Sequence, residues 1–292
     1  MAIAWVFPGQ GSQAVGMGLD LLEVGQEKLA QAEQILGWSV SEKCQAEIAE
    51  LSKTEYTQPC LYVVSAILLD ILKAKGKMPD LVAGHSLGEY TALYCAGVLD
   101  YVTGLELVKA RSLLMAEVSG GAMRVLMGFD RSKLEAIVAE IDEVVLANDN
   151  SADQVVISGT PEAIQIACDR LKPKRALPLA VSGAFHSPMM AGAADKFADL
   201  LLQVKWQDAK IPVLSNVEPN DATTSGQILR DRLKQQMTSP VRWREICQYL
   251  STEGYTQAVE VGAGKVLTGL IKRAAPGIKL VNISTLEQAN TF

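Results

Sequence analysis

The stretch LVAGHSLGEY, residues 81–90, holds the residues best suited to chemistry. It fits Gly-x-Ser-x-Gly, with Gly84 and Gly88 flanking Ser86, between a short apolar run and a helical pattern. That context defines a nucleophile elbow. A turn so tight from strand to helix leaves no room for Cβ atoms two residues either side of the serine, and glycine removes them. The Ser86 hydroxyl then stands at the carboxyl end of a sheet and at the start of a helix. The N–H of Leu87, next in the chain, points where an oxyanion would form. The chemistry predicted is nucleophilic attack by the serine hydroxyl. Short patterns with three fixed positions also arise by chance, so the strand and helix around this one carry much of its weight.

A serine nucleophile needs a base, and the chain has only two histidines. His85 neighbours the serine, and at a tight elbow its side chain leaves in another direction. His186, within VSGAFHSPMM (181–190), is then the general base by elimination, its Nε2 taking the serine proton. It follows the serine in the chain, as the base does in elbow enzymes. A lone histidine in an apolar, Met-rich stretch would otherwise be read as core filling. His85 is expected to be structural or to line the site, with no proton role. What orients His186 stays open: none of the 33 carboxylates is singled out by a pattern, and a backbone carbonyl can hold an imidazole N–H as well.

Other candidates are weaker. GAGKVL (262–267) hints at a phosphate loop, but that pattern wants Gly at 259 and Ser or Thr at 266, where Val259 and Val266 stand. Asn148 and Asn150 are read as a polar turn, with the cleft as their alternative. Arg111 offers two parallel donors to a carboxylate. On its residues alone it is read as a helix arginine paired with Glu106 or Glu117, or solvated.

The elements that must position these groups are legible in outline. Residues 2–7 (AIAWVF) predict a buried strand ended by Pro8-Gly9. Residues 58–76 predict a helix with Pro59 near its start and Gly76 past its end. DLVAG (80–84) predicts a strand, with helices after it over LGEYTALYCAGV and TGLELVKARSLLMAEVSGG. Strand and helix alternating in this way mark a parallel sheet covered by helices. The pattern changes at residue 122. AMRVLMGF predicts a strand and DRSKLEAIVAEI a helix capped by Asp130. EVVLAN and QVVISG predict two strands joined by a turn. TPEAIQIACDRLK predicts a helix with Thr160 as cap and Pro161 first, and RALPLAV a last strand. The order β-α-β-β-α-β is the ferredoxin-like unit. Beyond it, IPVLSNV (211–217) and QAVEV (257–261) predict strands, with helices over AADKFADLLLQV, GQILRDRLKQQM, RWREICQYLSTEG and GAGKVLTGLIKRA. The expected fold class is α/β: a hydrolase-like domain with a mostly parallel sheet, built from 1–121 and 184–292, and an inserted ferredoxin-like subdomain, 122–183.

The totals agree. The 292 residues are 49% hydrophobic and 21% charged, enough for a sizeable core. With 27 basic against 33 acidic residues the net charge is −6, which argues against nucleic acid as the main partner. The five cysteines are scattered and never form C-x-x-C, the mark of buried thiols in a reducing compartment. The first residues lack a basic segment, so no signal peptide is expected. No run of 18 apolar residues predicts a membrane span. A cytoplasmic protein is expected.

Six motifs, in order, carry a resemblance: FPGQGSQ (7–13), GHSLGEY (84–90), AFHSPMM (184–190), IPVLSNV (211–217), SPVRW (239–243) and EVGAGKVLTGL (260–270). The chain resembles, over nearly its whole length, the malonyl-CoA:acyl-carrier-protein transacylases of fatty-acid synthesis and the acyltransferase domains of polyketide synthases. The resemblance implies the same two-part architecture. It implies Ser86 as the acylated nucleophile and His186 as the base, oriented by a backbone carbonyl near Gln236 rather than by a carboxylate. It implies that the Gln10 N–H joins that of Leu87 in the oxyanion hole. Arg111 would grip the free carboxylate of malonate, and Gln236 would line the site. Leu87 and Phe185 resemble the malonyl-selecting members. The partners implied are malonyl-CoA and acyl carrier protein, with no metal, no bound cofactor and a monomeric chain. A serine hydrolase, such as a thioesterase, shares the elbow and histidine but predicts an Asp or Glu against His186. A carrier-binding module with a relic elbow is the third alternative.

Overall fold

A computed structural model describes residues 2–181 and 183–292. In chain order the strands are β1 (Ala2–Phe7), β2 (Leu81–Gly84), β3 (Ala122–Met127), β4 (Val144–Ser151), β5 (Gln154–Gly159), β6 (Arg175–Pro178), β7 (Val213–Leu214), β8 (Tyr255–Val261) and β9 (Lys279–Ile283). Five of them pair in the order β7-β2-β1-β8-β9, every pair parallel. Parallel sheets are covered on both faces, which is why β1 and β2 read as unbroken apolar runs. The side-chain alternation of a strand divides them between two cores. Trp5, Phe7 and Val82 pack with helices Thr54–Ala74, Gly88–Ala96 and Tyr101–Glu117. Ala4, Val6, Leu81 and Ala83 pack with helices Trp243–Thr252 and Val266–Ala274.

The second sheet is antiparallel, in the order β4-β5-β3-β6. Helices Arg131–Glu140 and Pro161–Leu171 cover one face, through Leu134, Ile137, Ile164 and Leu171. Asp130 and Thr160 cap them as the sequence predicts, accepting from Lys133 N–H and Ala163 N–H. The other face meets the main core through Met123, Ala147 and Val156. The join is specific. Val241 N–H donates to Ala147 C=O at 2.8 Å and Asp149 N–H to Val241 C=O at 2.9 Å. The buried Asp149 carboxylate accepts from Arg131 and Arg244, each at 2.9 Å. Arg131 belongs to the small sheet's own helix and Arg244 to helix Trp243–Thr252 on the large sheet, so the Arg244 bond, with the two Val241 bonds, ties the small sheet to the large one.

Several expectations differ from what forms. The helix read from residue 58 begins at Thr54, so Pro59 lies inside it. This is the one described helix long and apolar enough to cross a bilayer by length and composition, yet 78% of its most apolar window is buried in the protein. IPVLSNV pairs only at Val213–Leu214. Asn148 and Asn150 are not in a turn: β4 runs through both to Ser151, with register irregularities between Leu146 and Asn148 and between Asp149 and Ser151. Those bulges re-aim side chains at the rim of a sheet.

Candidate active site

β2 ends at Gly84, and helix Gly88–Ala96 starts four residues on. A methyl group at Gly84 would overlap the backbone of Gly88 and Glu89, and one at Gly88 would overlap Phe7 of β1. The elbow therefore needs both glycines for close approach. Ser86 at its apex has φ 51°, in the left-handed region. Of the four described non-glycine residues with positive φ, two are Ser86 and His186 (φ 57°). Backbone strain concentrates where side chains are held for function.

Ser86 Oγ lies 2.8 Å from His186 Nε2. His186 Nδ1 lies 2.9 Å from Gln236 C=O and 3.1 Å from Ser239 C=O. Carbonyl oxygens only accept, so Nδ1 carries the proton and Nε2 faces the serine hydroxyl as an acceptor. No carboxylate touches this histidine among the described residues. Burial, and next the positive charge of Arg111, push the His186 pKa down to about 3 from its ordinary 6.5. The base is thus kept neutral.

The second histidine is separate. His85 Nε2 donates to Asn150 Oδ1 at 2.8 Å, and its ring lies 5.5 Å from that of Trp243. Burial lowers its pKa too. With Nε2 committed, His85 lines the cleft and offers no base to its neighbour.

Arg111 projects from helix Tyr101–Glu117 and is 1% exposed. It donates to Gln58 Oε1 at 2.6 Å, Ser86 Oγ at 3.0 Å and Gln236 Oε1 at 3.1 Å. Its guanidinium carbon lies 5.5 Å from the Tyr90 ring centre. The expected pairing with Glu106 or Glu117 is overturned: Glu117 pairs with Lys196 instead, and Glu106 lies in a surface hollow with Thr103 and Leu200. Arg111 forms no ion pair among the described residues, and its Nε has no acceptor. A buried guanidinium held by neutral oxygens is a receptor for an anion.

Gln10 follows β1, and its side chain bonds Thr54 Oγ1 at 3.1 Å. The N–H groups of Gln10 and Leu87 donate to nothing among the described residues. Gln10, Ser86, Leu87, Arg111 and His186 line one cleft of about 460 Å³, with Met123 and Asn148 from the small sheet on its far wall. Gln236, 1% exposed, lies just behind. Every residue predicted for the site from sequence is brought to this one cleft or its wall.

Three polar residues escaped the sequence reading. Gln58, at the Arg111 guanidinium, sits in an apolar helix. Glu89 lies one turn past the elbow, 1% exposed, and burial pushes its pKa up to about 7 against the hydrogen bonds of Gln236 and Asn216. Asn216 follows β7 and is fully buried. The available signal was a polar side chain inside an apolar pattern, which packs only if partnered.

The pH dependence follows from His186. Its native pKa lies below the unfolded value, so the native state binds fewer protons between pH 6.5 and 3. Stability from this group is complete above 6.5 and is lost as pH falls through that window. The base meanwhile stays unprotonated, so kcat/KM for acyl transfer is expected to stay level from pH 7.5 to 5. A fall with an apparent pKa near 6.5 that persists in Glu89→Gln, which removes the other buried group raised to about 7, would contradict the desolvated environment of His186.

The fold and the site define a class: an α/β protein with a serine elbow and a neutral histidine, equipped for acyl transfer to and from a serine oxygen. The chain belongs to the acyl transferase domain family, whose model matches residues 4–285. It is 56% identical, over the full length of both chains, to the malonyl CoA-acyl carrier protein transacylase of Synechocystis sp., and superposes on the crystal structure of a Synechocystis malonyl-CoA:ACP transacylase with TM-score 0.98 across 100% of each chain. The Escherichia coli K12 malonyl CoA-acyl carrier protein transacylase is 41% identical over 92% of each chain. A malonyl-transacylase solved with its type II polyketide acyl-carrier protein is 39% identical, with TM-score 0.95 over 100% of this chain and 98% of that one.

Proposed function

We infer that the protein moves the malonyl group of malonyl-CoA onto the pantetheine thiol of acyl carrier protein, the loading step of fatty-acid synthesis. The observation that carries this reading is the buried Arg111 guanidinium, without a carboxylate partner, 3.0 Å from Ser86 Oγ. An acyl chain esterified at Ser86, with a carboxylate separated from its carbonyl by one methylene, would bring that charge to Arg111.

The residue roles are part of the proposal. Ser86 Oγ attacks the thioester carbonyl while His186 Nε2 takes the hydroxyl proton. The N–H groups of Leu87 and Gln10 hold the oxyanion, and losing one such donor costs about 10²–10³ in rate. As the C–S bond breaks, the proton passes from His186 to the CoA thiolate, leaving a malonyl-serine ester. The carrier thiol gives its proton to His186 and attacks the ester. Collapse of that intermediate returns the proton to Ser86. The kinetics are ping-pong. Residues 1–121 and 184–292 form the catalytic domain in this scheme, and 122–183 the subdomain over its cleft. We place this activity in the cytoplasm.

A thioesterase reading would call for a carboxylate behind the histidine, where Gln236 and Ser239 offer carbonyls. Weighing the intact protein after incubation with malonyl-CoA separates the alternatives. A lasting adduct of one malonyl group, discharged only to carrier protein, is expected. Rapid release of malonate without carrier would overturn transfer, and absence of both adduct and turnover would overturn catalysis.

A further inference from the structure

The left-handed Ser86 peptide must be held by something, since serine does not favour that conformation. Its N–H donates to Asn216 Oδ1 at 2.7 Å, and Asn216 Nδ2 donates to Gly84 C=O at 2.6 Å. Gly84 C=O and Ser86 N–H flank His85. In a parallel ladder one residue of the neighbouring strand bonds to the groups on either side of the residue opposite it, through its own N–H and C=O. Pairing between β2 and β7 stops at Ala83 with Leu214. Two residues later the Asn216 side-chain amide stands in for a peptide group and extends that ladder by one step, into the elbow.

Asn216 is itself tied down. Its N–H donates to Glu89 Oε2 at 3.1 Å, and the same oxygen accepts from Gln236 Nε2 at 2.7 Å. Gln236 Nε2 also reaches Ser86 C=O at 3.0 Å, and Glu89 N–H donates there at 3.1 Å. One buried carboxylate oxygen thus joins the backbone N–H of Asn216, the residue whose side chain holds the Ser86 N–H, to the Gln236 side chain that holds its C=O. Asn216 and Glu89 do not line the substrate cleft.

We propose that Asn216 and Glu89 are positioning residues, which lock the Ser86 peptide in its left-handed turn and so aim Oγ at His186. This rests on Ser86 being the acylated residue. Without the Asn216 amide, Gly84 C=O and Ser86 N–H lose their partners in a buried site, and the turn can relax. A displacement of about 1 Å in a reacting group costs on the order of 10²-fold in rate. The loss falls on kcat, because no substrate contact is removed.

The test measures single-turnover acylation by malonyl-CoA, steady-state KM, thermal unfolding and the rate at which a fluorophosphonate labels Ser86. Asn216→Ala and Glu89→Ala are expected to slow acylation and labelling together by about 10–100-fold, with KM within about threefold. Glu89→Gln keeps an oxygen for both donors and should recover most of the rate that Glu89→Ala loses. A folded Asn216→Ala variant with a lowered melting point but acylation and labelling within twofold of the parent would overturn the proposal, as would a rise in KM alone. Should Asn216→Ala not fold, the Glu89→Ala and Glu89→Gln pair decides: rate lost and regained supports positioning, and rate never lost overturns it. Peptide mapping of the parent's adduct keeps the two readings apart, since a parent that carries no acyl group on Ser86 fails at the earlier step.

Discussion

A Ser86→Ala variant is expected to fold and to lose about 10⁴–10⁶ in kcat, with no covalent malonyl adduct detectable. Alanine retains the backbone bonds from Asn216 and Gln236 that define the turn, and Ser86 is only partly buried, so little packing is lost. What disappears is the one oxygen that faces both His186 Nε2 and Arg111. His186→Ala should cost nearly as much. Among the described residues its neutral imidazole is the only group hydrogen-bonded to Oγ that can accept a proton, Arg111 being a donor there. Residues that act as one unit are not additive, so the double variant is expected to be no slower than either single one. Single-turnover acylation with malonyl-CoA reads this directly. A Ser86→Ala protein that still loads and delivers malonyl at an undiminished rate would remove the covalent route.

How far the sequence reached depends on whether a feature is local. β1 and β2 were legible because burial on both faces writes unbroken apolar runs, and the elbow because its glycines answer a local steric demand. The β-α-β-β-α-β order was legible from caps such as Asp130 and Thr160, which act within one helical turn. Features made by tertiary partners were not. Asn148 and Asn150 read as turn residues because asparagine favours turns. In the fold, bulged β4 is held by Val241 and by the Asp149 cluster, and Asn150 finds His85. IPVLSNV read as one strand, yet its backbone pairing ends after two residues and the Asn216 side chain takes over. Glu89 sits in an apolar helix pattern, and only the convergence of Gln236 and Asn216 explains a carboxylate there. Helices Val40–Gln45 and Ile48–Leu51, and β9 with helix Leu286–Thr291, are too short to stand out, and helix Gln26–Leu36 buries only Ala32 and Leu36, so its apolar stripe is faint. Arg111 is the sharpest case: local spacing favours a pairing with Glu106 or Glu117, and packing places it at the serine.

That placement makes Arg111→Ala the second large effect, and it is one of selectivity. In the free protein the guanidinium donates only to the neutral oxygens of Gln58, Ser86 and Gln236, and its Nε is left without an acceptor. Burial without a carboxylate disfavours its charge and pushes its pKa down. A malonyl carboxylate supplies the missing countercharge through charge-assisted bonds, each contributing about 1.5–3 kcal/mol. An acetyl group supplies none, and it also displaces solvent from beside a charge left unpaired. Removing the arginine therefore lowers kcat/KM for malonyl-CoA by about 10²–10³. The same change lifts a penalty from acetyl-CoA, so the ratio of the two must fall by more than the malonyl rate alone implies. Arg111→Lys should recover only part of the difference, because an ammonium cannot match the planar fork that reaches three partners at once. Competition between the two thioesters, read as the ratio of acyl groups on Ser86, measures this. Malonyl preference surviving intact in Arg111→Ala would mean that another group reads the carboxylate. Glu89, an acid in the same buried network, is not that group, since it does not line the cleft.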